Sequence, residues 1–164
     1  MADGAGGVAE LFVSMGKWAV APAPVLIRTL LGSCVGVVLY DRVAKMGGVA
    51  HVVLPDSRGD TALPGKYADT AIPAMIADFE RMQGRKSQGR LVAKIVGGAS
   101  MFQTTTPTLN IGKQNHDAVE RILAARGIPI LARELGGDAG RRLTLDTQTG
   151  TVSVRVPGGA DYDI

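Results

Sequence analysis

Two apolar runs separated by one short polar break constrain this chain more than anything else in it. Cys34-Val-Gly-Val-Val-Leu-Tyr40 and Met46 to Leu54 are rich in Val and Leu, and only Asp41 to Lys45 lies between them. A parallel crossover needs a dozen or more residues, so the two runs predict an antiparallel hairpin. A symmetric even-length turn centred between Arg42 and Val43 sets Cys34 directly opposite His51, with Cβ atoms about 4.5–5.5 Å apart. On that face Gly36, Gly47 and Val49 are small and leave room for a substrate side chain. Val35, Val37 and Leu39 point the other way, into a core.

A thiol beside an imidazole is a nucleophile–base pair: the imidazole takes the proton and the sulfur attacks a carbonyl carbon. An imidazolium next to Cys34 would also favour the thiolate and speed alkylation near neutral pH. A lone Cys in a Val-rich strand is equally an ordinary core residue, and a lone His near a strand end is often structural. Spacing leaves both readings open. Few alternatives exist elsewhere. No Cys cluster, His-x-x-x-His or Asp/Glu–His set supports a metal, and no cofactor is expected. Gly97-Gly98 after a strand lacks phosphate-loop spacing and reads as a turn or a close backbone approach. His116 reads as surface, and Asp138 with Arg141 and Arg142 as a polar turn.

The remaining segments read as follows. Residues 1–7 are small and flexible and predict disorder, and 8–164 form one domain. Val8 to Ala21 is a strand or a short helix, stopped by Pro22 and Pro24. Val25 to Leu30 is a strand. Ala71/Ile72, Met75/Ile76, Phe79 and Met82 have helical spacing, with Asp69 as N-cap and Pro73 in the first turn. Leu91 to Val96 is a strand, and Asn110 or Gly112 opens a second helix that Gly127 stops. Ile128 to Leu135, Arg142 to Asp146 and Thr151 to Val156 are strands, the last two a hairpin. Six or seven strands and two helices result. Strands mostly follow strands, so a doubly wound parallel sheet is not expected.

Composition narrows the class further. With 164 residues, 46% hydrophobic and 20% charged, the chain is a packed globular protein. A net charge of +3 and one diluted basic stretch, Arg81 to Arg90, do not make a nucleic-acid footprint. That stretch reads as a solvated loop, while a mildly basic surface suits an acidic protein partner. One cysteine excludes an intrachain disulfide. The N-terminus does not read as a signal peptide, and Trp18 to Ile27 is too short to span a bilayer. A cytoplasmic location without membrane insertion is expected.

Leu31-Gly-Ser-Cys-Val-Gly-Val-Val-Leu-Tyr-Asp41, Ala50-His-Val-Val-Leu-Pro-Asp-Ser57 and Pro64-Gly-Lys-Tyr-Ala-Asp-Thr70 occur in this order. Lys94-Ile-Val-Gly-Gly-Ala-Ser-Met-Phe102, Asn110-Ile-Gly112 and the Gly136-Gly137 region follow. Together, over roughly residues 15 to 156, they resemble the chemoreceptor glutamine deamidase family (CheD). The resemblance implies an α/β fold: a mixed, largely antiparallel β-sandwich-like core flanked by two main helices, related in active-site layout to bacterial toxin deamidases. It implies a cysteine-dependent amidohydrolase that converts chemoreceptor glutamines to glutamate in chemotaxis adaptation, with receptor methyl ester hydrolysis as a second activity. Cys34 takes the place of the family's nucleophile and His51 that of its base.

The third group is a threonine upstream of the cysteine. Thr29 is the nearby hydroxyl, although some relatives place theirs where this chain has Arg28. A bulge at Gly32-Ser33 would bring Thr29 into position. Ser100, Met101 and Phe102 would line the substrate helix. The implied partners are receptor cytoplasmic helices and a CheC-type phosphatase. Two competing readings remain at this stage: a non-catalytic module regulating that phosphatase, and acyl transfer from glutamine to an amine.

Overall fold

In the computed structural model, which describes residues 7–100 and 110–164, the hairpin forms the middle of a layered molecule. The elements are β1 (Ala9–Phe12), β2 (Trp18–Pro22), β3 (Val25–Leu31), β4 (Val35–Asp41), β5 (Met46–Val52), α1 (Ala68–Gln83), β6 (Leu91–Gly97), α2 (Ile111–Ala125), β7 (Ile130–Leu135), β8 (Arg141–Asp146), β9 (Val152–Arg155) and β10 (Tyr162–Asp163). One sheet is ordered β1-β3-β8-β9-β10 and the other β2-β5-β4-β6-β7. Among the described strands, only β1–β3 and β6–β7 pair in parallel. This is the expected α/β, largely antiparallel sandwich with two main helices. Val8 to Ala21, read as a strand or a short helix, holds two strands, β1 and most of β2, and β10 had no counterpart in the pattern reading. All three lie at sheet edges, where short strands carry little hydrophobic alternation. The segment expected to be disordered falls, up to residue 6, outside the described residues.

The second sheet is apolar on both faces. Val35, Val37, Leu39, Ala50 and Val52 pack against Ile72, Met75 and Phe79 of α1 and Val119 and Leu123 of α2. Val38, Val49 and Val96 pack the other way, against Ile27, Leu31, Leu143 and Leu145 of the first sheet. The hairpin is therefore the central layer of three, which explains why β4 and β5 read as continuous apolar runs rather than alternating ones. The space above the glycines is taken as well. A Cβ on Gly36 would lie 2.9 Å from Leu143 Cδ1 and from Leu31 Cδ1, and one on Gly47 2.7 Å from Leu145 Cδ2. Those glycines admit leucines of the facing sheet, not a substrate side chain as expected.

The hairpin register also differs from expectation. Gly36 faces His51 and Asp41 faces Met46, so the turn is centred between Val43 and Ala44. Asp41 decides this. Its carboxylate accepts the backbone N–H of Val43 and of Ala44, both at 3.0 Å, and Lys45 closes the turn at φ 51°. Arg90 donates to the same carboxylate at 3.1 Å, and Gln83 does so at 3.2 Å. One end of the supposed solvated basic loop is thus a structural tie to a fully buried aspartate.

Two further corrections concern polar residues. Tyr67, not Asp69, is the N-cap of α1, so Pro73 lies beyond the first turn. Ala68 N–H is satisfied by Leu54 C=O at 3.0 Å, which frees the Asp69 carboxylate to accept from Ser57 N–H and Oγ. Arg141 is no surface turn. It is 6% exposed and donates to the carbonyls of Glu134 and Gly136, shaping the Gly136-Gly137 corner.

Candidate active site

β3 and β5 belong to different sheets, and their facing surfaces bring Thr29 onto His51. Both are buried, at 0% and 4% exposure. Thr29 Oγ1 lies 2.7 Å from His51 Nδ1 and 2.7 Å from the Val13 carbonyl oxygen. Arg28, one residue earlier, turns to the outer face and pairs with Glu10 at 2.9 Å. No bulge is needed for this. β3 pairs with β8 without interruption from Leu26 to Leu31, and Gly32 to Cys34 carry the chain from one sheet to the other.

The hydrogen bonds fix the imidazole's tautomer. A carbonyl oxygen only accepts, so the single hydroxyl proton of Thr29 goes to Val13. Thr29 Oγ1 is then an acceptor, and His51 Nδ1 must carry the ring proton that it receives. Nε2 is left with its lone pair, buried and without a hydrogen-bond partner among the described residues. Burial also holds the His51 pKa below its ordinary value, only partly opposed by the nearby Val13 carbonyl. The ring is a neutral base with one nitrogen available.

The segment that supports this ring lies between β1 and β2. Val13 N–H donates to Arg28 C=O, Gly16 N–H to His51 C=O at 3.0 Å, and His51 N–H to Lys17 C=O at 2.9 Å. No motif marks residues 13–17; their hold on the ring is through backbone groups and was invisible to side-chain pattern.

Cys34 precedes β4 by one residue. Because Gly36 faces His51, Cys34 lies diagonally from His51 on the same face, two positions away, rather than directly opposite. It is 8% exposed among Val13, Leu31 and Val96. Burial pushes its thiol pKa up, and its own backbone N–H opposes this only in part. Both shifts therefore favour an uncharged thiol beside a neutral imidazole, the reverse of the expected thiolate–imidazolium pair. Iodoacetamide should accordingly alkylate Cys34 more slowly at pH 7 than it does free cysteine, with a pH–rate midpoint above the ordinary thiol value of about 8.5. A midpoint below that value would show the thiolate at rest.

The turn that carries Cys34 is held by its neighbours. Gly98 N–H donates to Cys34 C=O at 2.9 Å, and Ala99 N–H to Gly32 C=O at 3.1 Å. A Cβ on Gly97 would lie 2.3 Å from the Cys34 carbonyl oxygen, and Gly97 has φ 112°. Gly97-Gly98 is thus the close backbone approach that its sequence suggested. His116, expected at the surface, has a side chain only 19% exposed, and its Cδ2 would lie 2.9 Å from a Cβ on Gly98. Asn115, which sequence reasoning passed over, is fully buried and donates to the carbonyls of Ser33 and Val53. Ser100 follows this bend, its N–H donating to Gly137 C=O at 2.9 Å. Met101 and Phe102 lie outside the described residues.

Among the described residues, no group of three His, Cys, Asp or Glu is placed to hold a metal ion. No described helix is long and apolar enough to cross a membrane.

Comparison with known proteins places this geometry in context. The family described as CheD chemotactic sensory transduction matches residues 53–156. A probable chemoreceptor glutamine deamidase CheD from Methanococcus maripaludis is 47% identical over 145 residues, covering 88% of this chain and 94% of its own. The chemoreceptor glutamine deamidase CheD of Thermotoga maritima is 46% identical over 150 residues, covering 91% and 93%. A probable one from Archaeoglobus fulgidus is 40% identical over 153 residues, covering 93% and 96%.

Proposed function

This chain belongs to the CheD family, and from that membership we propose that it deamidates chemoreceptor glutamines with Cys34 as nucleophile, His51 as base and Thr29 as the group orienting the base. The observation that supports the residue roles most is the Val13–Thr29–His51 relay, which leaves Nε2 as the ring nitrogen without a partner among the described residues.

The chemistry follows from that nitrogen. His51 Nε2 takes the Cys34 thiol proton as the sulfur attacks the glutamine carboxamide carbon. The carbonyl π electrons move to oxygen, and backbone N–H groups near Cys34 stabilise the oxyanion. Collapse breaks the C–N bond. The imidazolium returns its proton to the departing nitrogen, so ammonia leaves and a thioester remains. Water then enters, His51 takes its proton, and collapse releases glutamate and restores the thiol. Because burial favours the uncharged form of both groups, charge develops as substrate reacts. A glutamyl methyl ester follows the same path with methanol leaving.

In this reading Ser100 and Phe102 flank the substrate helix, the protein works in the cytoplasm, and its partners are receptor cytoplasmic helices and a CheC-type phosphatase. The test is intact-mass analysis of a receptor cytoplasmic fragment after incubation with the protein, each conversion adding the amide-to-acid mass difference. A fragment that is bound but unchanged in mass would leave the binding-module reading. Incorporation of an added amine in place of water would make the reaction acyl transfer.

A further inference from the structure

β4 and β5 stop pairing at the end that carries Cys34 and His51. The last pair is Val35–Val52. Beyond it Cys34 C=O turns to Gly98 N–H, while Val53 N–H and Leu54 N–H turn to Lys66 C=O. Two carbonyls are left at this fork: that of Ser33, one residue before Cys34, and that of Val53, two residues after His51. Carbonyls shielded from water without donors are costly, and among the described residues no backbone N–H reaches these two, in half-buried Ser33 and Val53.

Asn115 fills the fork from α2. Its Nδ2 donates to Ser33 C=O at 3.1 Å and to Val53 C=O at 2.9 Å, and the side chain is fully buried. Two acceptors on one nitrogen need an NH₂ group, so the amide's orientation is settled: turned over, it would set oxygen against two carbonyl oxygens. The other atom, Oδ1, is buried without a partner among the described residues. The residue therefore accepts an unpaired oxygen in order to place both its protons on the active-site strands. Its helix is pinned beside the same turn. A Cβ on Gly112 would lie 2.4 Å from Gly98 C=O and 2.5 Å from Ala99 C=O.

We propose that Asn115 is a positioning residue of the deamidation site, a side-chain amide that replaces the missing ladder bond at the fork and sets the Cys34 turn relative to the His51 strand. The proposal rests on the functional reading above, but its test does not depend on that reading alone.

Two variants are measured for deamidation of a receptor fragment and for alkylation of Cys34 by iodoacetamide, which needs no receptor. Asn115→Ala removes both donors. It should lower kcat about tenfold at unchanged KM, since displacement of reacting groups is expensive in rate. Alkylation at pH 7 should become several-fold faster, because a loosened turn lets water reach a thiol that burial keeps inert. Asn115→Asp keeps the shape but offers a proton only when the carboxyl is protonated, so its deficit relative to wild type should narrow as pH falls. Circular dichroism and thermal unfolding separate these effects from loss of the fold. If Asn115→Ala does not fold, Asn115→Asp decides. A folded variant with wild-type kcat and wild-type alkylation overturns the proposal. If wild type leaves the receptor unchanged, the deamidase reading fails, and the alkylation contrast still judges the clamp.

Discussion

Cys34→Ala should lower deamidation of a receptor fragment by about 10⁶-fold, to background, as deletion of other enzymes' nucleophiles does. The fold should survive. Cys34 sits 8% exposed in an apolar cluster between the sheets, and alanine keeps its backbone and Cβ. Losing one buried sulfur costs about 1 kcal/mol, the scale of one buried methylene, which lowers Tm by about 3 °C in a domain of this size. The comparison of turnover with Tm is what discriminates. A thiol serving only as a small core residue would give the Tm change without the loss of rate. If the variant does not fold, wild-type protein alkylated once at Cys34 gives the same measurement. Full turnover in either form would remove Cys34 from the mechanism.

Much of the fold could be read because the hydrophobic pattern and the turn residues agreed. The central hairpin, both helices and the β8–β9 hairpin all have strong local signals, and each is found within a few residues of its expected place. What pattern could not supply was anything decided between distant segments. The turn at Arg42 to Lys45 was mis-centred because the Asp41 carboxylate, not symmetry, fixes where it begins. The glycines of β4 and β5 were assigned to a substrate cleft because one sequence does not reveal a second sheet supplying leucines to fill them. Arg141 and Arg90 looked like surface charge for the same reason: their acceptors are remote carbonyls or a buried carboxylate.

The site divides along the same line. Cys34 and His51 could be picked out because they are chemically rare in this chain and lie in one hairpin. Thr29 was chosen as the nearby hydroxyl, and strand alternation required only that it and Arg28 face opposite ways; the bulge invoked to place it is absent. The Val13–Lys17 segment acts through backbone groups and Asn115 through an amide in an ordinary helical stripe, so neither leaves a local mark. Burial also bears on the charge state of the pair. Proximity alone suggested an ion pair, whereas burial, the larger influence on both groups, favours the neutral forms.

Thr29→Val should lower turnover by about 10²-fold, within the range that general acid–base catalysis supplies, while Thr29→Ser should stay near wild type. Valine keeps the shape and branching of threonine, so packing at this fully buried position changes little. Two polar groups, however, lose their partner: Val13 C=O and His51 Nδ1–H. A buried group left unpaired costs about 1–3 kcal/mol, so Thr29→Val also destabilises the fold, contrary to what shape alone suggests. The imidazole can recover part of this by moving its proton to Nε2, where the thiol would otherwise deliver its own. That tautomer presents an N–H to the sulfur and no base, so kcat falls while receptor binding, and with it KM, holds. Serine restores the hydroxyl and with it the Nδ1–H form. Nitrogen-15 NMR of the His51 ring reads the tautomer directly: Nδ1–H in wild type and Thr29→Ser, Nε2–H in Thr29→Val. Full activity in a folded Thr29→Val, or an unchanged tautomer, would reduce the catalytic set to Cys34 and His51.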